Sequence, residues 1–325
     1  MKHILSVFLG AASYGVLSTF VVLAYGEGYK LGEVVGSQLL VGFLLSWLFA
    51  AYMERRAKRR ESASHTTAAN AAPSPVHLGW GQRLLLMAAG VPTAVTGLLY
   101  YESLRYIPAS LAILLLFQFT WIGVLIQAIR QRRRPERVMY PTLAILLGGT
   151  LLAAGIIEHG GGQFNLWGIL LGFLAAVSYS LFILFSGKAV PQAAPATRSK
   201  WMMLGGMLLV FALFKPAFLW NGDLFSPLML FGTLLGLFGA FIPPLLFAYG
   251  VPHIGEGMAG ILGAAELPVA VMLSSIVLQE QVTPLQWGGV VLVLLGVAYP
   301  ELIKLLRRGM SPRTAATTTY TSTTP

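Results

Sequence analysis

Residues 98–121, LLYYESLRYIPASLAILLLFQFTW, lie over residues 245–268, LLFAYGVPHIGEGMAGILGAAELP, without a gap. Both read as two leucines, an aromatic residue, a short kinked loop and a helix start rich in small residues. Ser13 and Tyr14 pair in the same way with Ser178 and Tyr179, and PERV before one apolar run matches QEQV before another. Each match is weak alone, but their common order reads as an internal repeat.

Outward from these stretches the chain is one apolar run after another, each about the twenty residues that an α-helix needs to cross a bilayer. The runs lie near 4–24, 33–53, 82–101, 108–129, 139–157, 165–187, 201–220, 228–248, 257–278 and 284–305. The expected fold is an all-α integral membrane protein of ten transmembrane helices. The repeat groups them as two five-helix units, residues 1–157 and 158–306. Because five is odd, the second unit enters the membrane with the opposite orientation, and inverted repeats of this kind point to transporters. Two similar units of opposite orientation can exchange conformations around one midplane site, which is alternating access.

Composition agrees, since 56% of residues are hydrophobic and 10% charged, against about 25% charged in soluble domains. The absence of cysteine excludes disulfides and thiolate chemistry. A net charge of +10 could suggest nucleic acid, but the basic residues are not spread over a face. They fall in alternate loops: Arg55, Arg56, Lys58, Arg59 and Arg60, then Arg130, Arg132, Arg133, Arg134 and Arg137, then Lys188, Arg198 and Lys200, then Lys304, Arg307, Arg308 and Arg313. The opposite loops hold Lys30, Arg105 and, near a helix end, Lys215. This positive-inside pattern places both termini in the cytoplasm of a multi-pass protein of the cell membrane. The bilayer is its partner, and no nucleic acid is.

The start, MKHILSVFLGAASYG, has the basic and apolar regions of a secretory signal, but its apolar run continues to Ala24, so an uncleaved first helix is expected. Residues 54–78 form the expected cytoplasmic linker, polar and proline-containing in its later part, and the low-complexity tail 307–325 is expected to be disordered. Glycine pairs Gly32 with Gly36, Gly168 with Gly172 and Gly232 with Gly236 read as close helix packing.

Residues 249–301, from Tyr249 to Glu301, resemble the carboxyl-terminal repeat of the drug/metabolite transporter superfamily, EamA-like branch. The features that carry the resemblance are Glu266-Leu267-Pro268 near midhelix, Glu280 at the next boundary, Thr283 and Gln286 after it, Gly288 and Gly289 entering the last span, and Gly296 within it. The fourth span departs from the family pattern, with Trp121 where a proline is usual. The resemblance implies a basket of ten helices in which the first, third and fourth of each half line a central cavity and the fifth lies at the periphery. It also implies carriage of a small organic solute (amino acid, metabolite or drug), with export as the direction.

Glu266 is the sharpest candidate for coupling or substrate binding, because a carboxylate in midspan costs several kcal/mol to insert while each leucine-like neighbour returns about 0.3 to 0.6. Ala259, Gly263, Glu266 and Ala270 share one face, so the carboxyl group should point into the bundle. There it either accepts hydrogen bonds from a neighbouring helix or serves as a proton carrier or solute contact. Gln118 and Trp121, one turn apart, stand opposite Ala265 and Pro268 in the repeat register, and an amide beside an indole suits an amphiphilic solute or an interhelical bond. Tyr14 and Tyr179 occupy the first helix of each half as cavity or gate residues. Pro92, Pro243 and Pro244 remove helical hydrogen bonds and are candidate hinges or static kinks. His3, His65, His77, His159 and His253 fall in loops or at helix ends, so no metal or haem site is expected, and no cofactor. The expected function is a secondary transporter, with protons as a candidate coupling ion. A polytopic membrane enzyme would need convergent acids, bases or metal ligands, and the sequence offers no such cluster. A passive channel or scaffold is the other alternative.

Overall fold

The computed structural model describes residues 1–63, 78–132, 134, 137–153, 165–186, 189–223, 226–254 and 262–310. Among these residues the regular structure is helical throughout. In chain order the α-helices are α1 (Lys2–Gly15), α2 (Leu17–Gly26), α3 (Leu31–Ala63), α4 (Trp80–Ser103), α5 (Ala109–Leu116), α6 (Phe119–Gln131) and α7 (Met139–Ala153). They continue with α8 (Leu166–Ser186), α9 (Pro195–Leu213), α10 (Pro227–Leu235), α11 (Ile242–Ile254), α12 (Glu266–Val277) and α13 (Pro284–Met310).

Among the described residues six segments are long and apolar enough to cross a membrane: Lys2–Gly26, Leu31–Arg56, Trp80–Ser103, Ala109–Arg130, Leu166–Phe185 and Pro227–Phe247. Three shorter apolar helices accompany them, Met139–Ala153, Glu266–Val277 and Pro284–Pro300. The protein is therefore a multi-pass helical membrane protein. The segment expected as a span near 201–220 begins earlier, at Pro195, with Arg198 and Lys200 in its first turns, and ends at Leu213 ahead of Pro216.

Side chains cap several helix starts. Ser226 Oγ accepts from Leu228 N–H at 3.2 Å, and Asn165 Oδ1 accepts from Trp167 N–H at 2.9 Å. Thr283 and Gln286 form a reciprocal box, Thr283 N–H donating to Gln286 Oε1 at 2.8 Å and Gln286 N–H to Thr283 Oγ1 at 3.2 Å. These two residues, noted above only as features of a resemblance, thus act as the start signal of α13.

Two boundaries differ from expectation. α3 continues to Ala63, so the first part of the 54–78 linker is helical, and α13 continues to Met310, so residues 307–310 of the expected disordered tail are helical too. The first extension, residues 54–63, is rich in Arg, Lys, Glu and Ala, which are strong helix formers, and the second continues α13 by one turn through Arg307 and Arg308. Hydropathy marks where the lipid ends, and a helix outside it needs no apolar side chains. Residues 64–77 and 311–325, with His159 and Ala259, lie outside the described residues.

Because lipid tails are as apolar as leucine, the helices are held by close backbone approach. A methyl added to Gly90 on α4 would meet the Met202 carbonyl of α9, and one added to Gly205 on α9 would meet the Met87 carbonyl of α4. The paired glycines Gly232 and Gly236 admit Ser37 and Val41 of α3 in the same way. Contacts between helices are exchanged across the two halves. α1 packs on α11 as α8 packs on α4; α12 packs on α1 as α5 packs on α8; α7 and α13 pack chiefly on each other.

Candidate functional site

The fourth and ninth apolar segments are each interrupted at the same place in the repeat. α5 ends at Leu116 and α6 starts at Phe119, while a helical turn ends at Gly263 and α12 starts at Glu266. The hydrogen bonds around the two breaks correspond one to one. Gln118 N–H donates to Leu115 O at 3.1 Å, and Ala265 N–H to Leu262 O at 3.1 Å. Thr120 N–H donates to Phe117 O at 3.2 Å, and Leu267 N–H to Ala264 O at 3.1 Å. Ile122 N–H donates to Gln118 O at 3.2 Å, and Val269 N–H to Ala265 O at 3.4 Å. The six bonds pair at the spacing that separates Leu98 from Leu245. Interrupted helices are tolerated at membrane depth where they are enclosed by protein or line a cavity.

At the first break the side-chain amide is fully bonded. Gln118 is 2% exposed. Its Nε2 donates to Leu114 O at 3.0 Å and to Thr150 Oγ1 on α7 at 2.7 Å, and its Oε1 accepts from Trp121 Nε1 at 2.8 Å. The amide therefore has no donor left over, and Gln118 and Trp121 form one unit with an α7 hydroxyl. The carbonyl of Phe119, the first residue of α6, accepts from Ser180 Oγ of α8 at 3.1 Å.

The carboxylate at the second break is not. The half-buried Glu266 side chain makes no hydrogen bond or ion pair with any described residue. What surrounds it is phenolic: Tyr14 from α1, Tyr100 and Tyr101 from α4 and Tyr179 from α8 all lie within reach of its charge. Tyr179 stands edge-on to Phe119, with ring centroids 4.7 Å apart, so the cluster runs from one break to the other. Gly15 occupies the place that Ser180 holds in the repeat, and it lets α1 approach so closely that an added methyl would sit 2.7 Å from the Glu266 carbonyl.

The structure thus gathers Glu266, Tyr14 and Tyr179 into one cluster and places Gln118 and Trp121 at the other break. Sequence reasoning missed Tyr100 and Tyr101, which lie inside the first repeat match, in LLYY, and had been read only as its aromatic position. It also missed the reach of Glu280. Its carboxylate accepts from Ala109 N–H at 2.6 Å and Ser110 N–H at 3.2 Å, joining the end of the ninth segment to the start of the fourth.

The prolines mark irregular helices on both sides. Pro92 lies inside α4, and its carbonyl accepts from Ser178 Oγ of α8 at 2.9 Å and Thr96 Oγ1 at 2.7 Å. Pro243 and Pro244 follow a π-helical turn, Gly236–Phe241, because neither can donate to the carbonyls four residues before it. Ser13 Oγ of α1 donates to Phe238 O in that turn at 2.8 Å. The serines that matched in the sequence, Ser13 and Ser178, therefore each bond the carbonyl of an irregular helix in the other half.

A bundle of membrane-spanning helices, the fourth and ninth segments interrupted at equivalent positions beside a polar cluster, defines the class as a polytopic integral membrane protein. Among the comparisons with known proteins, residues 166–299 match the model of the EamA-like transporter family. The relatives carry transporter names, not those of enzymes. "Uncharacterized transporter sll1319" of Synechocystis sp. (strain ATCC 27184 / PCC 6803 / Kazusa) is 25% identical over 203 residues, 62% of this chain and 61% of that protein. "Threonine/homoserine exporter RhtA" of Escherichia coli (strain K12) is 27% identical over 208 residues, 63% of this chain and 66% of the exporter. The matched part spans less than two thirds of both relatives. A solved crystal structure, 17% identical, superposes over 95% of this chain and 99% of its own with a TM-score of 0.62, a likeness of fold.

Proposed function

We propose that the chain is a secondary transporter of a small organic solute, working by alternating access between two five-helix repeats, residues 1–157 and 158–306, inserted in opposite orientations. The cell membrane, cytoplasmic termini and outward direction belong to the same reading. The observation that carries it is the pair of equivalent helix breaks, one closed by Gln118, Trp121 and Ser180, the other carrying the unpartnered Glu266 among four tyrosines. The exchanged packing of α1 on α11 and α8 on α4 supports the repeat, since each contact recurs with the halves interchanged. The basic loops support the orientation.

In this reading Glu266 gives up or takes a proton as the solute enters and leaves, and the tyrosine hydroxyls and the Trp121 ring line the path. A carboxylate with no ion pair among the described residues favours a solute that brings an ammonium group, and the exporter relative's amino acids are of that kind. Pro92, Pro243 and Pro244 are the hinges, with Ser13 and Ser178 holding the carbonyls about which the helices would bend. The test is solute-driven proton counterflow in proteoliposomes screened against amino acids, nucleosides, sugars and cationic drugs. One class should drive saturable flux, and Glu266→Gln should abolish the proton movement. Proton movement unchanged in Glu266→Gln would sink the coupling role.

A further inference from the structure

At the end of the molecule where α3 leaves the apolar region and α4 and α9 begin, a cationic and aromatic cluster stands apart from the helix breaks. The Arg83 guanidinium lies over two indoles, 5.0 Å from the Trp80 ring and 5.2 Å from the Trp201 ring. Its Nε donates to Leu78 O at 3.1 Å, which fixes the plane of the group and leaves the outer nitrogens with no acid among the described residues. Lys200 is 5.9 Å from the Trp201 ring and 3.7 Å from the exposed carboxylate of Glu54, and an exposed pair of that length is weak. Arg55, Arg56 and Arg59, all exposed, follow on α3 and add to the positive field. Immediately beyond Arg83 toward the apolar region, Leu84 is 59% exposed and Leu85 54%, while Trp80 is 73% exposed.

A fixed guanidinium and an ammonium at the polar boundary, above bare leucines facing the hydrocarbon, match a ligand with an anionic head and an apolar tail. We propose that Arg83 and Lys200, framed by Trp80 and Trp201, bind the phosphate of an anionic phospholipid from the surrounding bilayer, with its first acyl carbons along Leu84 and Leu85. Tryptophans at a membrane boundary commonly serve as anchors without lipid selectivity. Here Arg83 lies over two indole rings and is held by its bond to Leu78 O, which pre-organises a planar donor for phosphate, beyond what anchoring requires. Glu54 is the one acid in contact with the cluster among the described residues, and a phosphate would displace it from Lys200. The site does not depend on the transport reading and would stand if that reading failed.

The test titrates purified protein in detergent with short-chain phosphatidylglycerol, phosphatidylcholine of the same chains and inorganic phosphate, reading apparent affinity and melting temperature. Phosphatidylglycerol should raise the melting temperature, while phosphatidylcholine and free phosphate should not. Arg83→Gln should weaken phosphatidylglycerol binding about tenfold or more, as expected for loss of a charge-assisted hydrogen bond. Arg134→Gln removes the same charge elsewhere and should cost about twofold or less, because distant exposed charges are screened. Where Arg83→Gln does not fold, Lys200→Gln on the rim is read instead, against the same control. Equal stabilisation by both lipids, equal losses in the cluster and control variants, or reproduction of the effect by free phosphate would each overturn the proposal.

Discussion

The two helix breaks share their backbone hydrogen bonds and differ in what fills them. At Gln118 the side-chain amide is bonded to Thr150 and Trp121 and the next carbonyl to Ser180, so the first break is tied into its neighbours. At Glu266 the equivalent carbonyl faces Gly15 in place of a serine, and the carboxylate has tyrosines around it and no bonded partner among the described residues. A repeated backbone with one bonded and one unbonded copy separates scaffold from chemistry. In the proposed function the shared break positions the site, and the residue that differs performs the work.

The largest stability effect expected of this comparison comes from Gly15→Ala. The added methyl would lie 2.7 Å from the Glu266 carbonyl and 2.8 Å from the Val269 side chain, so α1 must move away from α12. The loss should be about 1 to 3 kcal/mol, the usual range for overpacking. Gly97→Ala, which meets nothing within 4 Å, is the control. Thermal unfolding in detergent checks both, and equal effects would mean that the close approach at the second break does not matter.

A smaller effect sharpens the same contrast from the other side. Gln118→Leu would leave Trp121 Nε1 and a bond of Thr150 without their partner, at about 1 to 2 kcal/mol for the buried donor left unpaired. Its main signature should be lower stability with residual transport in proportion to folded protein. Glu266→Gln should do the reverse, leaving the melting temperature nearly unchanged while the proton movement disappears. If both variants lost the same property, the division between a structural and a working break would fail.

Much of this was legible in the chain. The register of the breaks follows from the ungapped match of Leu98–Trp121 with Leu245–Pro268, and Glu266 stood out because a charge inside an apolar run demands a reason. The close packing read from Gly232 and Gly236 also holds, because small residues at four-residue spacing have few other uses in a membrane helix. The partners were not legible. That Glu280 reaches Ala109 and Ser110, or that Ser13 reaches Phe238, is decided by helices far apart in sequence coming to lie side by side. Likewise the π-helical turn precedes Pro243 and Pro244 instead of falling at them, since a proline's missing donor is felt at the carbonyl four residues earlier. The helix extensions to Ala63 and Met310 escaped because apolarity reports lipid contact, while helix formation depends on backbone propensity.

The central claim is that both breaks face one path that opens to the two sides of the membrane in turn. The natural chain has no cysteine, so single cysteines at Thr120 and Ala265, beside the first and second break, can be labelled with an impermeant thiol reagent from either face of sealed vesicles. The account predicts labelling of both positions from both faces, with a solute gradient raising labelling on one face as it lowers it on the other. Labelling from one face only under every condition, or from both faces with no reciprocal change, would contradict it.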